Sequence, residues 1–220
     1  MKKFLKILSI PAGCFLLYAT VVVCIEYFYI LAPSNGAVID PAKNTNSVVL
    51  IIDVQNSLTY YDNETKMREK KADIFLKNIN LVLDKLGRIE QVYIRQEFPR
   101  NSLLSFILPM FPEEGEPGTG INKSIYRGDS KIITKSRGDA FTNPSLQEYL
   151  ESKKIGTIYI TGLAAEFCVD STIRGAATKG YKVFVVKDAV LSASGGEPSV
   201  ERIEKYRSYG AKIISVKDLK

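Results

Sequence analysis

Short apolar runs alternate with amphipathic stretches over most of the chain. The runs are rich in β-branched residues and are bounded by Gly, Pro or polar residues, which is typical of buried strands. They predict six strands, at residues 47–53, 91–95, 130–135, 156–162, 181–189 and 211–216. Helical spacing with capping residues and terminal glycines predicts helices at residues 66–87, 143–154, 168–179 and 197–209. The alternation predicts a three-layer α/β/α domain around a six-stranded, mostly parallel sheet of Rossmann-like topology.

The N-terminal residues have a different composition. Lysines at the start of the chain precede an uncharged apolar run over residues 7–25. Because a membrane span needs about 20 apolar residues and a secretory signal only about 7–15, the length favours an uncleaved anchor. We predict a membrane anchor or signal-anchor over residues 1–32, a linker over 33–46 and the globular domain over 47–220. The basic flank predicts a single-pass protein with an extracytoplasmic domain, secreted if the tail is cleaved.

Composition narrows the chemistry. The chain has no histidine, which excludes Ser-His-Asp and Cys-His catalysis and any His-ligated metal site. Its three cysteines, Cys14, Cys24 and Cys168, show no metal-ligand spacing. No glycine-rich phosphate loop is present, so we expect no cofactor. The net charge is +6, but the basic residues are scattered among acidic ones, which favours a solvated surface over nucleic-acid binding.

Three reactive side chains follow strands of the predicted sheet: Asp53, Lys135 and Cys168. Taken singly, they are also explained as a turn residue, a solvated flank and a small core filler. Because ligands of parallel sheets bind beyond the carboxyl ends of the strands, we expect the three to meet. An ammonium about 4 Å from the thiol contributes roughly 4 kcal/mol at a dielectric of 20, so we expect it to lower the pKa of Cys168 by at most about three units. Asp53 would then take the thiol proton and return it to a leaving amine.

Four segments carry a resemblance to a known family. They are "VVLIIDVQNSL", "IITKSRGDAFTNPSLQEYL", "IYITGLAAEFCVDSTIRGAATKGYKVFVVKDA" and "YGAKIISV". Over about residues 47–217 the sequence resembles the isochorismatase-like cysteine hydrolases, which include nicotinamidases and N-carbamoylsarcosine amidohydrolases. The resemblance implies that Asp53 is the general base, Lys135 its cationic partner and Cys168 the nucleophile.

The resemblance also implies substrate contacts. The oxyanion hole would consist of the backbone N–H groups of Ala164 and Cys168, with a cis peptide bond before Ala164. Gln96 matches a Gln of the metal-free members, and Phe141 resembles the aromatic residue that lines their pockets, so both are candidate substrate-binding residues. Glu166 stands where many relatives have Asp, and we interpret it as an exposed turn carboxylate.

The chain departs from the nicotinamidases after the second strand. Those enzymes carry an Asp-x-His-x-His metal site, whereas this chain reads "RQEFPRNS" there, so we expect no metal. Residues 96–129 are predicted to be irregular, and within them "FILPMF" (106–111) is open to interpretation as a lid, an oligomer contact or a membrane-touching patch. Members of the family are often oligomeric, and a homo-oligomer is therefore an expectation.

The function expected from these observations is that of a membrane-anchored cysteine hydrolase. Its substrate would be a small molecule with an amide or related C–N bond, cleaved through a thioester acyl-enzyme. Two alternatives stay open. One is isochorismatase-like hydrolysis of a vinyl ether, which some members perform without the thiol. The other is a catalytically silent, membrane-tethered binding domain.

Overall fold

A parallel sheet forms the centre of the domain. The computed structural model describes residues 2–59, 66–100 and 113–219. The strands are β1 (Asn46–Ile52), β2 (Glu90–Gln96), β3 (Lys131–Lys135), β4 (Ile155–Leu163), β5 (Lys182–Leu191) and β6 (Lys212–Ile214). Within the described ranges they form one six-stranded sheet in the order β3-β2-β1-β4-β5-β6, and every neighbouring pair is parallel. The predicted fold class is therefore confirmed.

Helices precede, connect and cover these strands. They are α1 (Lys2–Leu31), α2 (Asn56–Thr59), α3 (Lys66–Lys85), α4 (Pro144–Ser152), α5 (Asp170–Thr178) and α6 (Val200–Ser208). The helix predicted to begin at Cys168 starts at Asp170, because Cys168 lies in a π-helical turn over Ala165–Val169. The "FILPMF" stretch lies outside the described residues.

Two hydrophobic layers sandwich the sheet. Successive residues of a strand point to opposite faces, so β1 supplies both layers. Leu50 packs on the face covered by α4, α5 and α6, whereas Ile51 packs on the face covered by α3. Both side chains are completely buried. Burial on both faces explains why the strands read as continuous apolar runs rather than as alternating ones.

The strand order reverses beside β1, between β1 and β4. β1 pairs with β2 on one side and with β4 on the other. At the carboxyl end of this pair, Gly162 has a φ of 121°. A Cβ atom there would lie 2.1 Å from the carbonyl oxygen of Ile52, so only glycine allows the two backbones to approach this closely. In such sheets ligands bind at this point of reversal, beyond the strand ends.

The N-terminal helix α1 corrects one prediction. Crossing a bilayer requires about 20 consecutive apolar residues. In the part of the chain that the structure describes, no helix is long and apolar enough to cross a membrane. The membrane localisation predicted from residues 1–32 is therefore wrong.

The segment expected to be a linker, residues 33–46, packs on the domain. Ile39 is 6% exposed and joins the core, and its N–H donates to the Lys179 carbonyl at 2.9 Å. Just before this segment, the Arg137 guanidinium donates to the Ala32 carbonyl at 2.7 Å. These contacts make the stretch a structural part of the domain.

Candidate active site

Asp53 directly follows β1 and turns its carboxylate into the interior. Its φ is 54°, in the left-handed region that Asp adopts more readily than most residues. Its backbone N–H donates to the Ile94 carbonyl at 3.0 Å. The residue is only 1% exposed. An ionised carboxylate at this depth requires an opposite charge or hydrogen-bond donors.

Lys135, the last residue of β3, supplies that charge. Its Nζ lies 2.8 Å from Asp53 Oδ2 and also donates to Gln96 Oε1. The Lys135 side chain is itself completely buried. Since an ammonium only donates hydrogen bonds, it determines the orientation of the Gln96 amide and directs Nε2 away from Lys135.

Cys168 approaches the pair from the turn that follows β4. The turn begins at Ala164, after a cis peptide bond between Leu163 and Ala164, as the family resemblance implied. Cys168 is half-buried as a residue, and its thiol lies within side-chain hydrogen-bonding range of both Asp53 and Lys135. The structure thus brings together the carboxylate, the ammonium and the thiol that the sequence placed at three strand ends.

The pKa of the thiol differs from the expectation. Burial raises the pKa of Cys168 to about 12, because desolvation outweighs the effect of the Lys135 ammonium, and the Asp53 carboxylate acts in the same upward direction. Burial also raises the pKa of Asp53, against the lowering effect of Lys135. The predicted lowering of the thiol pKa is therefore wrong. The resting thiol is protonated, and its proton has to leave during nucleophilic attack.

The ammonium is held in its charged form. Burial acts to lower the pKa of Lys135, but the Asp53 carboxylate raises it above its ordinary value. Lys135 is accordingly a permanent positive charge at the centre of the site. It favours any negative charge that develops on the thiol or on Asp53.

A buried glutamine that the sequence analysis missed connects the chain segments around this site. The Gln55 amide donates to the carbonyls of Gln96 and Thr119, at 2.9 and 3.0 Å, and its Oε1 accepts from the Gln96 N–H at 2.7 Å. Gln55 is fully buried. The signal for it was present, since it is a polar residue two positions beyond Asp53 at the end of a buried strand.

Two buried polar atoms of the site have no well-formed hydrogen bond within the described ranges. They are Asp53 Oδ1, an acceptor, and Gln96 Nε2, a donor. Unpaired polar atoms at such depth are uncommon in folded proteins and call for an explanation. Here the two atoms leave one acceptor and one donor available for the thiol proton and for a bound substrate.

The structure does not place Phe141 with these residues. Phe141 is 3% exposed and belongs to the core, where its ring packs against Tyr181 at 5.5 Å and beneath the Lys179 ammonium at 5.4 Å. These contacts explain the aromatic side chain as part of the packing. Its role in substrate binding stays a prediction that the observed contacts do not support.

Glu166 tethers a neighbouring loop. Its carboxylate accepts from the Ser192 hydroxyl at 2.6 Å and from the Ala193 N–H at 2.9 Å. Glu166 therefore holds the loop after β5 against the turn that carries Cys168.

The donor set does not fit a metal ion of the kind that nicotinamidases hold. The chain has no histidine, and β2 ends in Gln96 followed by Glu97. Among the residues that the structure describes, no group of three or more Cys, Asp or Glu side chains is placed to hold a metal. We therefore derive no step through a metal.

Comparison with known proteins identifies the class. The fold and the site are those of an α/β protein with a buried ion pair beside a thiol at the carboxyl edge of a parallel sheet. The sequence model of the Isochorismatase domain matches residues 47–218. The chain belongs to this family of hydrolases, as the four segments indicated.

Individual relatives and a solved structure agree with this assignment. The secreted isochorismatase effector Isc1 of Verticillium dahliae is 26% identical over 151 residues, covering 68% of this chain and 74% of that protein. The N-carbamoylsarcosine amidase of Arthrobacter sp is 32% identical over 71 residues, covering 32% of this chain and 27% of that enzyme. The structure of N-carbamoylsarcosine amidase from Thermoplasma acidophilum superposes with a TM-score of 0.67 at 20% identity, covering 78% of this chain and 97% of that one. At this identity the structural likeness concerns the fold.

Proposed function

We propose that this hydrolase cleaves a small amide or related C–N bond through a thioester intermediate. The observation that carries the proposal is the meeting of Asp53, Lys135 and Cys168, joined by the 2.8 Å contact between Lys135 and Asp53 and the thiol beside both. The amidases among its relatives support the same reaction class. The substrate is a small molecule. Self-association stays a prediction.

In the first half of the reaction, the Cys168 sulfur attacks the carbonyl carbon of the amide. Because the thiol is protonated at rest, its proton passes to Asp53 as the S–C bond forms. The C–N bond then breaks, and the amine leaves with the proton that Asp53 returns. Lys135 stabilises the negative charge as it moves from the carboxylate toward the sulfur and the carbonyl oxygen.

In the second half, water hydrolyses the thioester. Asp53 accepts a proton from the attacking water, the S–C bond breaks, and the proton returns to the Cys168 sulfur. The products are a carboxylic acid and the amine, and the protein is restored to its starting state. The proposed oxyanion hole consists of the backbone N–H groups of Ala164, which precedes the turn, and of Cys168, which lies within it.

Gln96 is the proposed substrate contact in this site. Its Nε2 is a buried donor without a well-formed partner in the described part of the chain, and Lys135 fixes its orientation. An oxygen acceptor of the substrate would satisfy it. A substrate lacking that acceptor would leave the donor unpaired, which weakens binding.

The test is a panel of small substrates with matched cysteine variants. The full chain is assayed with N-carbamoylsarcosine, nicotinamide, other primary amides and isochorismate, by release of amine or of the vinyl ether products. Cys168→Ala is expected to abolish amide hydrolysis, whereas Cys24→Ala, at an exposed cysteine of α1, is expected to keep full activity.

Two results would contradict the proposal. One is full amide turnover by Cys168→Ala. The other is a parent enzyme that acts only on the vinyl ether and retains that activity in the variant, which would select the thiol-independent alternative.

A further inference from the structure

The turn that carries Cys168 is wider than a turn of an α-helix. The Val169 N–H donates to the Ala164 carbonyl, five residues back, at 3.3 Å, and the turn over Ala165–Val169 has π-helical geometry. Such single π turns are rare and are frequently found at functional sites. The position of the thiol therefore depends on contacts that hold this unusual turn in place.

One of these contacts comes from a distant helix. Tyr206 lies in α6, is completely buried, and donates its hydroxyl to the Ala165 carbonyl at 2.6 Å. Ala165 is itself completely buried, so no solvent competes for this bond. The contact reaches the turn three residues before the nucleophile.

The same helix holds the chain on the other side of Cys168. Asp170, two residues after the thiol, accepts from the Arg202 guanidinium at 2.9 Å and lies 3.4 Å from the Lys205 ammonium. Both cations belong to α6. Helix α6 thus contacts the chain on both sides of the nucleophile, at Ala165 in the turn and at Asp170, the first residue of α5.

We propose that Tyr206 is a positioning residue for Cys168, acting through its hydrogen bond to Ala165. This inference rests on the proposed function of the thiol and extends it to a helix that touches no reacting atom. Removing the hydroxyl releases the turn, and the sulfur moves out of its place against Asp53 and Lys135. Displacements of about 1 Å at a reacting atom lower rates by about a hundredfold.

The test compares two tyrosines that make the same kind of bond. Tyr206→Phe removes the hydroxyl and keeps the ring. Tyr93→Phe is the matched control, because Tyr93 is also fully buried and donates to a backbone carbonyl, that of Ile125, at 2.6 Å on the other face of the sheet. Both variants are made in the full chain with Cys14 and Cys24 changed to Ser, so that Cys168 is the only thiol.

Two readouts separate positioning from stability. The midpoint of thermal unfolding is expected to fall in both variants, and at least as far in Tyr93→Phe, because the Tyr93 hydroxyl also accepts from the Arg127 N–H at 3.3 Å. The rate of alkylation by iodoacetamide, followed by intact mass from pH 7 to 10, is expected to rise at least about threefold in Tyr206→Phe at pH 8, because a displaced thiol has an acidity closer to that of free cysteine. Tyr93→Phe is expected to keep the parental rate. With an identified substrate, Tyr206→Phe should lower kcat more than it changes KM.

An unchanged alkylation profile in a folded Tyr206→Phe protein would overturn the proposal. If that variant does not fold, Arg202→Gln, which loosens the same helix at Asp170, should give a smaller shift in the same direction, and the absence of any shift would overturn the proposal equally. If the proposed function is wrong, substrate turnover will survive in Cys168→Ala. That result would not affect the alkylation comparison of Tyr206→Phe with Tyr93→Phe, which needs no substrate.

Discussion

Lys135 Nζ lies 2.8 Å from Asp53 Oδ2, and the exposed fractions of the two side chains are 0% and 2%. A buried ion pair of this kind is costly to assemble, because both ions lose their hydration. Removing one partner leaves the other as an uncompensated charge. The pair is therefore a central element of the candidate site and a sensitive point of the fold.

Lys135→Met tests this pair. We expect a loss of about 3–5 kcal/mol in the free energy of unfolding, because Asp53 is left buried without its cation. Amide hydrolysis should fall with it. The control is Lys153→Met, which breaks a partly exposed pair with Glu90 at 2.9 Å and should cost about 1 kcal/mol or less. Urea unfolding of the two variants checks the difference, and equal losses would show that burial of the pair does not matter.

The pH dependence of thiol alkylation has a defined sign. Because the pKa of Cys168 is raised to about 12, the thiolate is scarce at neutral pH, and the alkylation rate should keep rising up to pH 10. Asp53 raises the thiol pKa, so Asp53→Asn should lower it and speed alkylation. Lys135 lowers it, so Lys135→Met should raise it and slow alkylation. A profile with an apparent pKa of about 8.5, the value of free cysteine, would contradict this environment.

Gly162→Ala should disrupt the approach of β4 to β1. The new Cβ atom would lie 2.1 Å from the Ile52 carbonyl oxygen, at a φ of 121°. We expect the free energy of unfolding to fall by about 2–5 kcal/mol, since overpacking of about 1–3 kcal/mol adds to a backbone penalty of about 1–2 kcal/mol. Gly210→Ala is the control, because its φ of 89° is also positive but nothing lies within 4 Å of the new atom. Equal midpoints of thermal unfolding in the two variants would argue against the close approach of β4 to β1.

The packing of residues 33–46 can be tested at two neighbouring positions. Ile39 is 6% exposed, whereas Val38 is 68% exposed. We expect Ile39→Ala to cost about 2–5 kcal/mol through the cavity it leaves. Val38→Ala should stay within about 0.5 kcal/mol of the parent. Similar small effects at both positions in urea unfolding would restore the interpretation of this stretch as a linker.

The sequence alone was sufficient for the architecture. Strand and helix periodicities are local properties, and strands buried on both faces must be apolar throughout, so the alternation of elements predicted the parallel sheet. The same logic placed Asp53, Lys135 and Cys168 at carboxyl ends of strands, and the family resemblance added Gln96. Their side chains do lie near one another. The membrane localisation was wrong, because it rested on the length of the uncharged run and on its basic flank, whereas no helix in the described residues is long and apolar enough to cross a membrane.

Only the tertiary structure decided the pKa of the thiol and the packing partners of the residues around the site. The pKa of Cys168 depends on how far burial outweighs one nearby cation, and desolvation is absent from a sequence pattern. Phe141 lies in the core, where its ring packs against Tyr181. Tyr206 reaches Ala165 across 41 positions of the chain. The residue types and their spacing are written along the chain, whereas partners and solvation exist only after distant segments pack together.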